Sequence, residues 1–483
     1  MQNLVDKDFI INVGPQGTFR PSGKYQTIPE DIDQMFERFE REKTRKIALY
    51  FHGGLVNETS GLASARQISL PILSADCQPV CFVWETGLFE TIGTNLSKIS
   101  ETKLFHKLLK LLLRKVTEKL GFDTVLGRGA AGPGLTDLEI EAELAKPVPF
   151  AEYNQIGNHP GARSAVNLEY LAQVYDLQNQ LNEELAAELV KDPELELLAE
   201  TSGLSVSTND NGQGRGILTS FNFLSHIVKI AYRIITRFIK KRDHNLYPTV
   251  VEEILRELYV SELGAWVWKM MKGKANDMWT ENTGRQDLDQ YAARYFLDKL
   301  AAYKEKFSQT EISLIGHSAG SIVICHLLKH TARLHQPFNY NHIILMAPAC
   351  RIDLFAAEIL SRSNSYQDIR IFTMSDEYEC RDIMIPFIYT HSLLYLISGA
   401  LEDEGESADA YILGLERHIR YQLPYNITDL QPCHDYLYLN GLNRVSYSVY
   451  TGTTEGLETA AQKHGDFDDD VPTLRSITHI LAS

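Results

Sequence analysis

At 483 residues, with 44% hydrophobic and 23% charged residues, the chain is long enough for a large core and too ordinary in composition for a disordered or fibrous protein. A formal net charge of −16 argues against nucleic acid as the main partner, because phosphate would be repelled by the average surface. The length exceeds that of one simple catalytic domain, so one core carrying substantial insertions is expected.

The opening MQNLVDKDFIINVGPQG has no basic region followed by a continuous apolar stretch, so no secretory leader is expected. Nor does any segment offer the ~18 uninterrupted apolar residues of a membrane span. The expected location is cytoplasmic, with peripheral contact at the inner membrane surface as the variant discussed below. A first block then alternates strand and helix. The run Lys46-Ile47-Ala48-Leu49-Tyr50-Phe51 reads as a buried strand ending in His52-Gly53-Gly54, a helix follows around Ala63 to Ile72, and Pro79 to Trp84 is the next strand.

Residues 91–285 do not read as further sheet. They hold a Gly-rich turn at Gly127 to Gly134, an acidic helical stretch from Leu181 to Glu200, and a loop rich in Ser, Asn and Gly at Thr201 to Gly216. A mainly helical insertion is expected here. Alternation resumes with a helix from about Gln286 to Phe307. Strand Glu311 to Ile315, helix Ala319 to Arg333, strand His342 to Met346, helix Leu354 to Leu360 and strand Ile369 to Thr373 come next. A long connection, strand Arg444 to Val449 and a helix near Thr473 to Leu481 complete the series. Such alternation implies an α/β fold with a mostly parallel sheet flanked by helices. The expected division is 1–90 and 286–483 as two parts of one core, with 91–285 inserted. The six cysteines lack metal-ligand or disulfide spacing and read as reduced core residues.

The strongest chemical signal is Gly316-His317-Ser318-Ala319-Gly320, set between the strand Ile312 to Ile315 and an apolar-periodic helix. A G-x-S-x-G turn there is tight, and its small residues leave room for a strained serine at the strand's end. The following helix turns its unsatisfied N–H groups toward the same spot. On these residues the chain resembles the α/β-hydrolase superfamily of serine esterases and lipases. The resemblance covers two blocks, Lys46 to Trp84 and Gln286 to Ser483, and makes 91–285 a cap-like insertion after the fourth strand.

The resemblance implies Ser318 as nucleophile, with an oxyanion hole formed by the amide of Ala319 and amides from Gly53, Gly54 and Leu55. It implies Asp376, at the end of strand Ile369 to Thr373, as the acid that orients the base. Glu377, Glu379 and Asp382 are close enough in sequence to compete. His464, beyond the last strand, is the implied general base, and the order Ser318, Asp376, His464 matches the superfamily. No cofactor or metal is implied. The expected activity is hydrolysis of a carboxylic ester through an acyl-enzyme, on a small-molecule or lipid substrate. A peptidase or thioesterase would use the same triad, and a hydrolase-fold scaffold without activity is the competing class.

Weaker features have two readings each. Cations recur every four residues at Lys229, Arg233, Arg237 and Lys241, and again through Leu104 to Leu120. These basic amphipathic helices are compatible with a phospholipase lying on an anionic membrane, or with pairing to Glu183, Glu184, Glu188, Glu194 and Glu196. Trp266, Trp268, Met270, Met271, Met278 and Trp279 suit either an acyl-binding wall or ordinary core. Asp466, Asp468, Asp469 and Asp470 suit either a calcium site, whose EF-hand spacing they do not match, or helix-start acids and solvated loop, the reading taken here.

Overall fold

The computed structural model describes residues 5–54, 57–84, 88–121, 135–156, 168–207, 215–402, 409–439 and 443–483. Within them lie strands β1 (Ile10–Asn12), β2 (Lys46–Phe51), β3 (Gln78–Val83), β4 (Ser205–Ser207), β5 (Arg215–Ile217), β6 (Glu311–His317), β7 (Tyr340–Met346), β8 (Tyr366–Met374) and β9 (Val445–Ser448). The chain packs as two units, one of residues 1–90, 266–382 and 411–483, the other of residues 91–265 and 383–410.

The first unit is built on a seven-stranded sheet in the order β1-β3-β2-β6-β7-β8-β9, with every pairing parallel. It is an α/β fold of the kind the strand–helix alternation predicts. Runs such as KIALYF and YNHIILM are apolar on successive residues because both faces of the sheet are covered. Side chains alternate between the faces. Tyr50, Ile315, Ile344 and Phe372 belong to one core cluster with Ile68 of the helix Glu58–Ser74 and Ile477 of the helix Val471–Ala482. Phe51, next to Tyr50, stacks on Phe82 and meets Trp279, and Phe82 packs edge-on against Phe296 of the helix Ala292–Lys306.

Chain order reverses at the middle of this sheet. From β2 the chain moves outward through β3 on one side, and from β6 it moves outward through β7, β8 and β9 on the other. β2 and β6 are neighbours, in register from Lys46↔Glu311 to Phe51↔Gly316. The loops leaving their C-terminal ends therefore emerge side by side at a topological switch point, where open parallel sheets bind their ligands.

The second unit is mainly helical, with Lys103–Leu120, Leu168–Lys191, Ser220–Ile239 and Leu246–Leu258 as its longer helices. The stretch expected to be loop at 201–216 instead contains β4 and β5 as an antiparallel pair. Gly127 to Gly134 lies outside the described residues. The cations of the first basic helix are engaged within the unit. Lys107 pairs with Asp192 at 2.7 Å, Arg114 with Glu188 at 3.0 Å, Lys115 and Lys119 both with Glu184, and Lys110 with Glu141. In the second, Arg233 and Lys229 share Glu257.

Arg237 is wholly buried between Glu252, 2.8 Å away, and Glu253, 3.0 Å away, both also wholly buried. Burial alone would lower its pKa, but these carboxylates and Asp409 outweigh the desolvation and raise it. Glu252 is further held by the Tyr389 hydroxyl at 2.6 Å and by His244 Nδ1 at 2.9 Å. Its carboxylate fills the space that a side chain at Gly399 would need. Removing one member of such a network strands a buried charge, whereas an exposed pair contributes little. Arg237→Ala is expected to destabilise the protein by about 3–5 kcal/mol in denaturant unfolding, against about 1 kcal/mol or less for Lys110→Ala.

Candidate active site

Ser318 follows β6 directly and adopts φ of +51°, the left-handed region that costs any residue with a Cβ. Several contacts hold it there. Its N–H donates to the Met346 carbonyl at 2.8 Å, and its own carbonyl accepts from Ala349 N–H at 3.1 Å and Ser321 Oγ at 2.6 Å. Ser321 Oγ in turn accepts from Cys350 N–H. Glycine is required on both sides of the turn. A Cβ at Gly320 would lie 2.1 Å from the Phe51 carbonyl oxygen, and one at Gly316 would lie 2.9 Å from the Gly320 carbonyl carbon. The helix Gly320–Thr331 starts immediately after Ala319, its N-cap residue.

The loop after β2 is pressed against this elbow. A Cβ at Gly53 would sit 3.2 Å from Ser318 Cβ, and one at Gly54 would sit 2.8 Å from Ala319 Cβ and 2.1 Å from Met271 Sδ. His52 sets the loop's shape. Its Nε2 accepts from Trp84 N–H at 3.1 Å, so the proton is on Nδ1, which donates to the Gly53 carbonyl at 2.6 Å. Burial lowers the His52 pKa to about 4, which keeps this tautomer neutral. Among the described residues no acceptor takes the N–H of Gly53 or of Ala319. Leu55, the remaining expected donor, lies outside the described residues.

His464 comes from the loop between β9 and the helix Val471–Ala482. Its Nε2 is 2.8 Å from Ser318 Oγ, with Ser318 2% and His464 6% exposed. Burial, reinforced by neighbouring His317, pushes the His464 pKa down to about 3, so the ring rests neutral and Nε2 can accept a proton. The main chain of His464 is gripped at both ends. Its N–H donates to Asp382 Oδ2 at 2.8 Å, and its carbonyl accepts from His317 Nε2 at 2.9 Å. Burial raises the Asp382 pKa, although the bond from the His464 amide works the other way.

The structure thus brings together Ser318, His464, Gly53, Gly54 and Ala319. Asp376 stands differently. It opens the short helix Asp376–Arg381 and its carboxylate lies 3.4 Å from Arg417 Nε, while His464 Nδ1 has no hydrogen-bond partner among the described residues. The carboxylate that reaches the base residue is Asp382, just past the end of that helix, and it does so through the main chain. The acidic loop also departs from its expectation. Asp470 caps the last helix, bonding Thr473 N–H at 2.9 Å, but Asp468 is turned inward, 3.7 Å from His317 Nδ1 and 3.3 Å from Tyr50 Oη. Of the Trp and Met cluster, Trp268, Met271, Met278 and Trp279 are buried, whereas Trp266 and Met270 are exposed. All six cysteines are free thiols. Among the described residues no cluster of His, Cys, Asp and Glu has the arrangement of a metal site, and no helix is long and apolar enough to cross a membrane.

Comparison with protein-family models, with curated proteins and with solved structures finds no match for this chain. The reading of the site therefore rests on its own geometry.

Neutral burial of histidines has a thermodynamic consequence. Below pH 6.5 an unfolded histidine binds a proton that folded His464 refuses, so stability is full above that pH and falls as the solution is acidified. His464→Gln is expected to lose less stability than wild type between pH 6.5 and 4.5, by about 1.4 kcal/mol per pH unit, in urea unfolding curves.

Proposed function

We propose that this chain is a serine hydrolase of the α/β-hydrolase fold that cleaves a carboxylic ester through Ser318 and His464. The observation that carries the reading is the 2.8 Å contact between His464 Nε2 and the hydroxyl of a buried serine held at positive φ on a strand–helix elbow. Spare serine–histidine contacts occur in many proteins. Few are built at the switch point of a parallel sheet, on a strained turn, with unbonded amides beside the hydroxyl.

The chemistry follows from these groups. As Oγ attacks the ester carbonyl, its proton passes to His464 Nε2, and the carbonyl oxygen becomes an oxyanion next to the Ala319 and Gly53 amides. The imidazolium then gives that proton to the departing alkoxide, and an acyl-enzyme remains. Water attacks the acyl group as His464 takes its proton, the imidazolium returns that proton to Ser318 Oγ, and the acyl group leaves as the carboxylic acid. Each step is balanced by one proton moving between Oγ, Nε2 and the leaving or entering oxygen. Asp382 is the carboxylate we assign to orienting the base, in place of Asp376, because it bonds the His464 amide while Asp376 lies against Arg417. The phospholipase version drew its support from basic helices whose cations largely pair within the second unit, so the plain ester reading is put forward.

Labelling with a fluorophosphonate probe tests the assignment. Wild type is expected to form an adduct mapped by mass spectrometry to Ser318, and Ser318→Ala and His464→Ala to form none. A folded wild type that resists the probe would favour a non-enzymatic scaffold. If labelling succeeds, a panel of esters, phospholipids, thioesters and peptides separates the substrate classes. On the preferred ester, Asp382→Ala, which removes the acceptor that holds the His464 amide, is expected to lower kcat by up to about 10²-fold through misplacement of the base, and Asp376→Asn by less than about tenfold. The reverse ranking would return the acid's role to Asp376.

A further inference from the structure

The residue just before the nucleophile carries a hydrogen-bond pattern that a neutral imidazole does not satisfy well. His317 Nε2 faces the main-chain carbonyl of His464 at 2.9 Å, and a carbonyl only accepts, so Nε2 must bear a proton. In a neutral ring Nδ1 would then present a lone pair, yet it faces the Asp468 carboxylate at 3.7 Å. Only the protonated ring meets both neighbours favourably. The pair is shielded, with side chains 8% and 14% exposed, where opposite charges attract more strongly than in water.

We infer that His317 and Asp468 form a carboxylate–imidazolium pair that positions the base: the His317 imidazolium bolts the His464 main chain to the nucleophile elbow, and Asp468 is its counter-ion. The inference rests on the hydrolase reading of Ser318. His317 touches neither substrate nor the reacting atoms in this scheme, so it is a positioning residue. Its place in the chain makes the bolt short, because the peptide that carries His317 is joined directly to Ser318. One side chain therefore ties together two loops that must meet within hydrogen-bond distance.

The charged and titratable groups facing His317 come from several elements. Asp468 and Asp469 lie on the loop before the last helix, His464 has its ring centroid 5.6 Å away, and His52 leaves β2. Tyr50, also on β2, donates to the same Asp468 oxygen at 3.3 Å, and Ser64 bonds that carboxylate too. Desolvation opposes charge on His317, but Asp468 and the His464 carbonyl outweigh it, and the pKa is raised. Desolvation likewise opposes ionisation of Asp468, yet His317, Ser64 and Tyr50 hold its pKa down at about 2. When His317 loses its proton at alkaline pH, the Nδ1 lone pair is left facing a carboxylate, and the grip on the base loop weakens.

The test uses the full chain and the rate of fluorophosphonate labelling at Ser318 between pH 6 and 10.5. Wild type is expected to slow on the alkaline side, with a limb above pH 6.5. His317→Gln keeps an N–H donor for the His464 carbonyl and does not titrate, so it should label within about tenfold of wild type at pH 7 and lack that limb. Asp468→Asn, which can donate to a neutral His317, should also lack it. His317→Leu offers no donor and should label at least about 100-fold more slowly, and rescue by glutamine excludes mere misfolding. Separately, ring ¹⁵N shifts in histidine-labelled wild type, assigned by the loss of one signal in His317→Gln, should show an imidazolium at pH 7.5. A neutral ring there, a wild-type alkaline limb retained in both polar variants, or undiminished labelling of folded His317→Leu would overturn the inference. Wild type that shows the imidazolium but never labels would instead remove the hydrolase reading, and with it the positioning role.

Discussion

At Ser318 the main chain turns through the left-handed region, with three nearby positions where a Cβ would overlap its neighbours and a fourth, Gly53, where it would be tightly pressed. Gly316 and Gly320 let the elbow close on itself and on β2, and Gly53 and Gly54 let the neighbouring loop close on the elbow. Strain of this kind persists only where surroundings over-determine it, and here the Met346, Ala349 and Ser321 contacts do so. Everything proposed for the site depends on that close approach. It puts the Gly53 and Ala319 amides, which have no acceptor among the described residues, beside one hydroxyl at the mouth of the same two strands.

His464 is placed by a different principle. A strand end fixes Ser318, but His464 sits on an irregular loop, and loops acquire a fixed geometry only from specific bonds. Asp466 draws the loop together by accepting the Gln462 and Lys463 amides, and Asp470 does the same for Ala460 and Thr473. Asp382 and His317 then hold the His464 peptide from both sides. All four of the residues that hold the loop, Asp466, Asp470, Asp382 and His317, are aspartates or histidines.

That contrast explains what could be read from the sequence. The parallel sheet was legible because continuous apolar runs of strand length can only be buried on both faces, and the elbow was legible because its motif is local. β1 was not, being three residues long with no periodicity to display. The β4–β5 pair hid in a stretch whose Ser, Asn and Gly content signals turn and loop. The choice among Asp376, Glu377, Glu379 and Asp382 was undecidable by spacing, because a short helix separates the first from the last and only the contact of Asp382 with the His464 amide tells them apart. The His317–Asp468 pair joins residues distant in the chain, and a histidine inside a nucleophile motif carries no local mark of its partner. In the second unit, the alternative of basic helices paired with acidic neighbours was visible in charge pattern alone, and the buried Arg237 network was not.

Placing the site between β2 and β6 also orders events during synthesis. The loop after β2 is made early, the whole second-unit stretch 91–265 intervenes, and the turn at Ser318 follows; pairing of the two central strands must wait for that long connection to close. A ribosome that has reached β8 has released β2, β6 and the turn at Ser318 but not His464, which is added beyond β9, with Asp468 later still. On the proposed reading the nascent chain is chemically silent until His464 has been added, so a product truncated before it would have no hydrolytic activity.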